Sequence, residues 1–175
     1  MMLLDVFGIG AFFLVFVFAF YWIYAILKGA PYYPSSGKAQ AQMLEEILKQ
    51  ENPKVVELGA GDGRLAIRIA RKGIPVTAIE INPILSVMIR LLAVITRTKG
   101  LRVINSDFLR CDLSEYNVAV AYLYPGIMQK LEPKLFSEMK PGSLIISNTF
   151  AIKSREPIKR IEVKGAKILI YKVGG

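Results

Sequence analysis

The sequence predicts an α/β fold with a mostly parallel sheet, a C-terminal antiparallel hairpin and one N-terminal transmembrane helix. Three observations carry that expectation. Strand-like apolar runs alternate with helix-like stretches from residue 54 to residue 148, the pattern of a parallel sheet with crossover helices. The first run, Val55-Val56-Glu57-Leu58, feeds into Gly59-Ala60-Gly61-Asp62-Gly63, and a glycine-rich strand-to-helix turn is where such sheets bind ligands. Residues 6–27 carry no charge; as a helix they reach about 33 Å, against a bilayer core of about 30 Å.

In that N-terminal run, six phenylalanines are followed by Tyr21, Trp22 and Tyr24 beside Lys28, the arrangement of an interfacial aromatic belt. It has no basic n-region and no small-x-small cleavage site before Lys28, so an uncleaved anchor is expected rather than a signal peptide. Every Lys and Arg follows the run. This predicts a single-pass membrane protein: residues 1–27 form the anchor, with 3–27 in contact with the bilayer lipid, the N-terminus outside and the bulk of the protein on the cytoplasmic side. Residues 28–37, punctuated by Gly29, Pro31, Pro34 and Gly37, read as a juxtamembrane segment, and 38–175 as the folded domain.

Within that domain a helix is expected over 38–50, where Met43, Leu44, Ile47 and Leu48 repeat at helical spacing, with Pro53 closing it. Strands are expected at 54–58, 75–79, 101–105, 118–124 and 143–148. Helices are expected at 64–72 and from the Asn82-Pro83 cap to about residue 98, with Gly100 as the stop. A helix between the fourth and fifth strands should bend or split near Glu132, because Pro133 removes a backbone donor. Residues 158–163 and 167–173, around Gly165, read as the closing hairpin. That makes seven strands with one antiparallel member.

The 175 residues include 23 basic and 14 acidic side chains, a net charge of +9. From residue 28 onward 23 basic residues face 13 acids, a net +10, which favours anionic membrane surfaces, acidic partners or nucleic acid. No nucleic-acid partner is expected, since the chain has no such binding motif and no aromatic residues spaced among the basic ones. The single Cys111 cannot form an internal disulfide, which fits a reducing compartment. With no histidine and one cysteine, no metal site is expected.

Gly59 and Gly61 lack a Cβ and tolerate positive φ, so a ligand can sit against bare backbone. The spacing is G-x-G-x-G, whereas the dinucleotide fingerprint needs a small residue where Arg64 stands. That argues against NAD, FAD and an oxidoreductase. Glu57, two residues ahead of the first glycine, would repel a pyrophosphate but suits the ammonium and sulfonium of S-adenosylmethionine. Glu80 follows the second strand, where a carboxylate can accept from both ribose hydroxyls. Asp107 follows the third strand with Phe108 beside it, a pair able to accept from an adenine amine and cover the ring. The plainer alternative is that Glu80 and Asp107 cap the helices behind them.

These residues carry a resemblance. Glu57 to Gly63, Glu80-Ile81-Asn82-Pro83 and Ser106-Asp107-Phe108 are similar to the cofactor motifs of the seven-β-strand S-adenosylmethionine-dependent methyltransferases. More narrowly, Pro31-Tyr32-Tyr33-Pro34-Ser35-Ser36, Gly61-Asp62-Gly63-Arg64, Tyr116-Asn117-Val118, Pro125-Gly126-Ile127-Met128 and Leu131-Glu132-Pro133-Lys134-Leu135 resemble the membrane-anchored lysine methyltransferases of the ATP-synthase c-subunit and the adenine nucleotide translocase, and their soluble archaeal relatives. The resemblance implies a Rossmann-like seven-stranded methyltransferase sheet and S-adenosyl-L-methionine as cofactor. It implies that Glu57, Gly59, Ala60, Gly61 and Gly63 hold the methionine moiety, Glu80 the ribose and Asp107 the adenine, with Ile81, Asn82 and Phe108 completing the site. The chain departs from the family at Leu109, where a Trp is usual, and at Ser147-Asn148-Thr149-Phe150, which replaces a Cys-Arg-Phe-Pro-like segment; both border the acceptor side.

The implied acceptor is an accessible protein lysine, attacking in line after losing its proton, and the anchor points to a membrane protein as substrate. An apolar channel at Tyr122-Leu123-Tyr124-Pro125 is expected to orient the amine, which makes Tyr122, Tyr124 and Pro125 the candidate catalytic residues. Two alternatives keep the same motifs: a small-molecule or lipid methyltransferase, and a non-catalytic membrane adaptor.

Overall fold

The chain divides into two units, Met1–Tyr33 and Pro34–Gly175. The computed structural model describes residues 35–174 together with Phe12 and Phe16. Phe12 and Phe16 are both helical and exposed. The expected anchor otherwise lies outside the described residues, as does the juxtamembrane segment up to residue 34. Among the described residues no helix is long and apolar enough to cross a membrane.

Helix α1, Gly37–Leu48, starts where the Ser36 side chain accepts from the Ala39 N–H, a serine N-cap. Its buried face, Ala39, Met43 and Ile47, repeats at the helical period that the sequence showed. Buried Glu46 accepts from Lys49 at 2.7 Å and from Lys159 at 2.8 Å, tying α1 to the far edge of the sheet.

The elements then alternate as expected: β1 Val55–Leu58, α2 Arg64–Ala70, β2 Val76–Glu80, α3 Pro83–Ile95, β3 Leu101–Asn105, β4 Val118–Ala121, α4 Pro125–Glu138, β5 Leu144–Asn148, β6 Lys159–Val163 and β7 Ala166–Lys172. Seven strands among the described residues form one sheet in the order β3-β2-β1-β4-β5-β7-β6. β1 pairs in parallel with both β2 and β4. β7 inserts antiparallel between β5 and β6. The direction in which successive strands are added reverses at the β1–β4 pair, and in such sheets the crevice at that switch point receives the ligand.

The sheet is covered on both faces, so β1, β2, β4 and β5 are buried end to end, as strands enclosed by helices must be. Val55 packs with α1 and α2 residues such as Met43, Ile47 and Ile69. Val56 and Leu58 pack with Met128, Leu131 and Leu135 of α4. Strand alternation therefore sends Glu57 to the α1–α2 side.

Three expectations are corrected. The fourth strand stops at Ala121 rather than Tyr124. Its pairing with β5 ends at Ala121 and Ser147, and Tyr124 must be extended because Pro125 opens α4, which disfavours the helical region for the residue before it. Helix α3 is stopped by Arg97, not Gly100. Arg97 takes φ +49, its N–H reaches the Val94 carbonyl at 3.0 Å, and the Thr98 N–H reaches the Ala93 carbonyl at 2.8 Å. That bond pair is a Schellman stop with arginine in the glycine place. Pro133 does not split α4, which runs unbroken from Pro125 to Glu138. Pro133 faces solvent, where water can serve the carbonyl that lost its donor, while Met128, Leu131 and Leu135 hold the opposite face in the core.

Candidate cofactor and acceptor site

The glycine turn leaves β1 through three left-handed glycines: Gly59 at φ +74, Gly61 at +59 and Gly63 at +75. Two of them are also pressed from outside. A Cβ on Gly63 would lie 2.7 Å from Ile89 of α3, and one on Gly59 would lie 3.0 Å from Leu123 at the end of β4. The second contact brings the β4 end directly against the turn.

The turn is held by the end of β2. The N–H groups of Gly59 and Ala60 donate to the Ile79 carbonyl at 2.9 and 3.1 Å. The Gly61 N–H donates to Glu80 Oε2 at 2.8 Å, while Glu80 Oε1 accepts from the Asn82 N–H at 2.8 Å. Glu80 thus joins the two neighbouring turns and does not cap α3. Burial raises its pKa above the usual carboxylate range, against those backbone bonds. A carboxylate offers about four acceptor positions, so two hydrogen bonds leave room for ribose hydroxyls. Asn82 is the cap instead: its Oδ1 accepts from Ile84 N–H at 2.9 Å and Leu85 N–H at 3.3 Å. Ile81 is 37% exposed between them, an apolar platform beside the acid. Asn105 Nδ2 donates to the Glu80 carbonyl at 2.8 Å, a support at the end of β3 that sequence reading missed.

Glu57 is buried and its Oε2 has no hydrogen-bond partner. Desolvation pushes its pKa up to about 8; the Ala66 N–H in the first turn of α2 opposes this, while the charges of Asp62 and Glu80 add to it. A buried acceptor without a donor costs about 1–3 kcal/mol, and an ammonium donor would remove that cost. Together with bare left-handed backbone and the Glu80 carboxylate, this donor-seeking acid fits the amino, sulfonium and ribose groups of S-adenosylmethionine.

The third predicted acid behaves differently. Asp107 Oδ1 accepts from the Leu109 N–H at 2.9 Å and caps the short 3-10 turn Phe108–Arg110, so the plainer expectation holds for one of its oxygens. Phe108 is half-buried against the α4-side core.

On the other side of the switch point, Phe150 packs against two predicted acceptor residues. Its ring is stacked with Tyr122 at 6.1 Å and tilted against Tyr124 at 5.8 Å. Tyr124 is 36% exposed. Pro125 is exposed at the first turn of α4. Phe150 is placed by an unusual corner: Thr149 has φ +71, a conformation that costs a non-glycine residue about 1–3 kcal/mol. Ser147 Oγ donates to the Phe150 carbonyl at 2.5 Å, the Thr149 N–H donates to the Lys167 carbonyl at 2.6 Å, and buried Asn148 donates to Ser35 Oγ at 2.8 Å. Ser35 is thereby tied to the corner that carries Phe150. By contrast Tyr116-Asn117 precedes β4 and lies at the opposite end of the strands, where Asn117 accepts from the Lys54 N–H. Its part is structural.

The fold and the turn agree with the comparisons. In solved structures, an RNA methyltransferase from Salinibacter ruber in complex with S-adenosyl-L-homocysteine superposes at a TM-score of 0.77 with 30% identity, over 81% of this chain and 94% of that one. A protein-lysine N-methyltransferase from Saccharolobus islandicus is 29% identical over 82% of this chain and 94% of its own length. The ATP-synthase c-subunit lysine N-methyltransferase of Mus musculus is 30% identical over 69% of this chain. The match spans about half of the mouse protein. Residues 57–159 match the model of the ANTKMT methyltransferase domain. That match takes in more than half of the chain, which belongs to this family and is an S-adenosylmethionine-dependent methyltransferase.

Proposed function

We propose that the acceptor is a lysine ε-amine of a protein, and that residues 1–27 hold the enzyme at a membrane with its catalytic domain on the cytoplasmic side. The observation that carries the acceptor reading is the ring group of Tyr122, Phe150 and Tyr124 beside the glycine turn. It is supported by the archaeal and mouse relatives, which are named as lysine methyltransferases. The anchor reading rests on the uncharged residues 6–27 and the basic residues that follow.

When bound, S-adenosylmethionine supplies an electrophilic methyl group on its sulfonium. Glu57 would take the amino end of the cofactor, Glu80 the ribose and Asp107 with Phe108 the adenine, over the backbone of Gly59, Ala60, Gly61 and Gly63. Ile81 would border the adenine, while Asn82 acts as the α3 cap that positions Glu80. On the acceptor side the chain supplies little acid–base chemistry, as it has no histidine. A lysine of pKa about 10.4 costs roughly 4.6 kcal/mol to deprotonate at pH 7. The rings offset part of this by excluding water, since desolvation lowers an amine's pKa. Their faces attract the incoming ammonium by about 0.5–1 kcal/mol, which aids its capture but works against its deprotonation. Alignment of the amine by Tyr122 and Tyr124 supplies the rest, with Pro125 fixing the direction in which Tyr124 leaves β4.

The test is incubation of the full chain with radiolabelled S-adenosylmethionine and, separately, membrane proteins, total RNA and lipid extract. Label recovered as methyl-lysine supports the reading. Label confined to RNA, lipid or small molecules overturns it. Tight S-adenosylhomocysteine binding without transfer to any of them identifies an adaptor and overturns it as well.

A further inference from the structure

Helix α3 is apolar on the side where a water-facing helix should be polar. Its inner face buries Ser86 and Ile89 completely. On the opposite face Ile84, Val87, Leu91, Val94 and Ile95 are 59, 51, 58, 75 and 74% exposed. At 100° per residue these five fall within one arc of about 100°. Exposed leucines or valines scattered singly need no explanation, but a continuous outward stripe marks a contact surface.

The charge around the stripe narrows what covers it. Between Glu80 and Asp107 there is no acidic residue, while Arg90, Arg97, Lys99 and Arg102 all lie there and all are exposed. Two copies pairing through α3 would bring both sets of cations to one interface, which disfavours self-association. An apolar stripe flanked only by cations is the composition of a helix lying in the headgroup layer of an anionic bilayer. The stop at Arg97 helps, because the Schellman turn places this cation where a glycine usually ends a helix.

We infer that the catalytic domain itself docks on an anionic lipid bilayer through the outer face of α3, with Leu91 and Val94 in the acyl boundary and Arg97, Lys99 and Arg102 at the headgroups. This contact is separate from the N-terminal anchor. Helix α3 begins at Asn82, next to the Glu80 turn, so docking there sets the cofactor edge of the sheet close to the lipid surface. Methyl acceptors would then have to present themselves near the headgroups.

The test uses the full chain carrying Cys111→Ser and an environment-sensitive nitrobenzoxadiazole label at Leu91→Cys, with a control label at Glu162→Cys on β6, at the opposite edge of the sheet. Vesicles contain phosphatidylcholine with about one third phosphatidylglycerol and spin-labelled lipid; each basic residue near such a surface is worth about fivefold in partition. The expected result is at least about twofold quenching at position 91, little at position 162, and loss of the difference in pure phosphatidylcholine or high salt. Leu91→Glu with Val94→Glu, read by lipid quenching of a label at Val87→Cys, should abolish the contact while methyl transfer to a soluble acceptor stays unchanged. Equal quenching at both positions, or none at either, overturns the inference. So does a label at 91 that is already shielded without lipid: concentration-dependent shielding would identify a second copy, and concentration-independent shielding a segment of the same chain. None of the lipid readouts involves methyl transfer, so they stand or fall apart from the proposed acceptor.

Discussion

The two halves of the ligand edge are built by different means. At the ends of β1 and β2, backbone amides and two carboxylates set the geometry: left-handed glycines, three N–H groups tied to the last two residues of β2, and a Glu57 oxygen with no donor. At the ends of β4 and β5, aromatic faces and a strained threonine set it. The first half tolerates almost no change of shape, because it is closed by main chain and by Ile89 and Leu123. The second is made of partly exposed rings on a short corner, and its side chains can vary without unfolding the sheet. Such a division suits a cofactor held by fixed backbone on one side and, under the proposed function, an acceptor met by side-chain faces on the other.

The sharpest way to probe this contrast is Glu57→Gln. Burial raises the Glu57 pKa to about 8, so between the ordinary carboxylate pKa and 8 the folded protein binds more protons than the unfolded one. Stability must therefore fall as pH rises through that window and level off above it. The amide variant should match the parent at pH 4.5 and be more stable by about 3–5 kcal/mol at pH 9, read by denaturant unfolding without cofactor. Equal pH profiles would mean that Glu57 is not buried as described. Cofactor binding by the variant should nonetheless weaken.

Gly63→Ala should cost about 3 kcal/mol, from left-handed strain and overpacking against Ile89. Adding Ile89→Ala should relieve the overpacking but not the strain; a fully stable single variant would contradict the turn geometry. Glu80→Ala strips the acceptor from Gly61 and Asn82 and should cost about 2 kcal/mol, with a larger loss of S-adenosylhomocysteine affinity by calorimetry.

On the acceptor half, Phe150→Ala should raise the acceptor KM about fivefold, corresponding to one aromatic contact of about 1 kcal/mol, and leave cofactor affinity unchanged. Parallel loss of both would merge the two halves into one unit. The smallest effect is expected from Tyr124→Phe, which keeps the ring, and a larger one from Tyr124→Ala. Full transfer by both variants would remove Tyr124 from the mechanism.

Much of the fold could be read locally. The strand–helix alternation follows from apolar periodicity, Asn82 announces a helix start, and Gly165 sits in the turn of the closing hairpin at φ +80. The misreadings have different causes. Arg97 ends α3 although Gly100 is the better local stop. Pro133 leaves α4 unsplit because its side of the helix meets water. The fourth strand ends where β5 stops pairing, which its own residues do not encode.

By itself, the sequence determined the order of elements, the glycine turn and the three acids at successive strand ends, because φ preference, side-chain period and charge are properties of adjacent residues. Tertiary structure alone decided that Glu80 clasps Gly61 and Asn82, that Glu57 keeps an unpaired oxygen, that Phe150 meets Tyr122 and Tyr124, and that the apolar face of α3 turns outward. Each of these joins residues separated along the chain, or depends on which side of a helix the sheet occupies, and only packing brings such groups together.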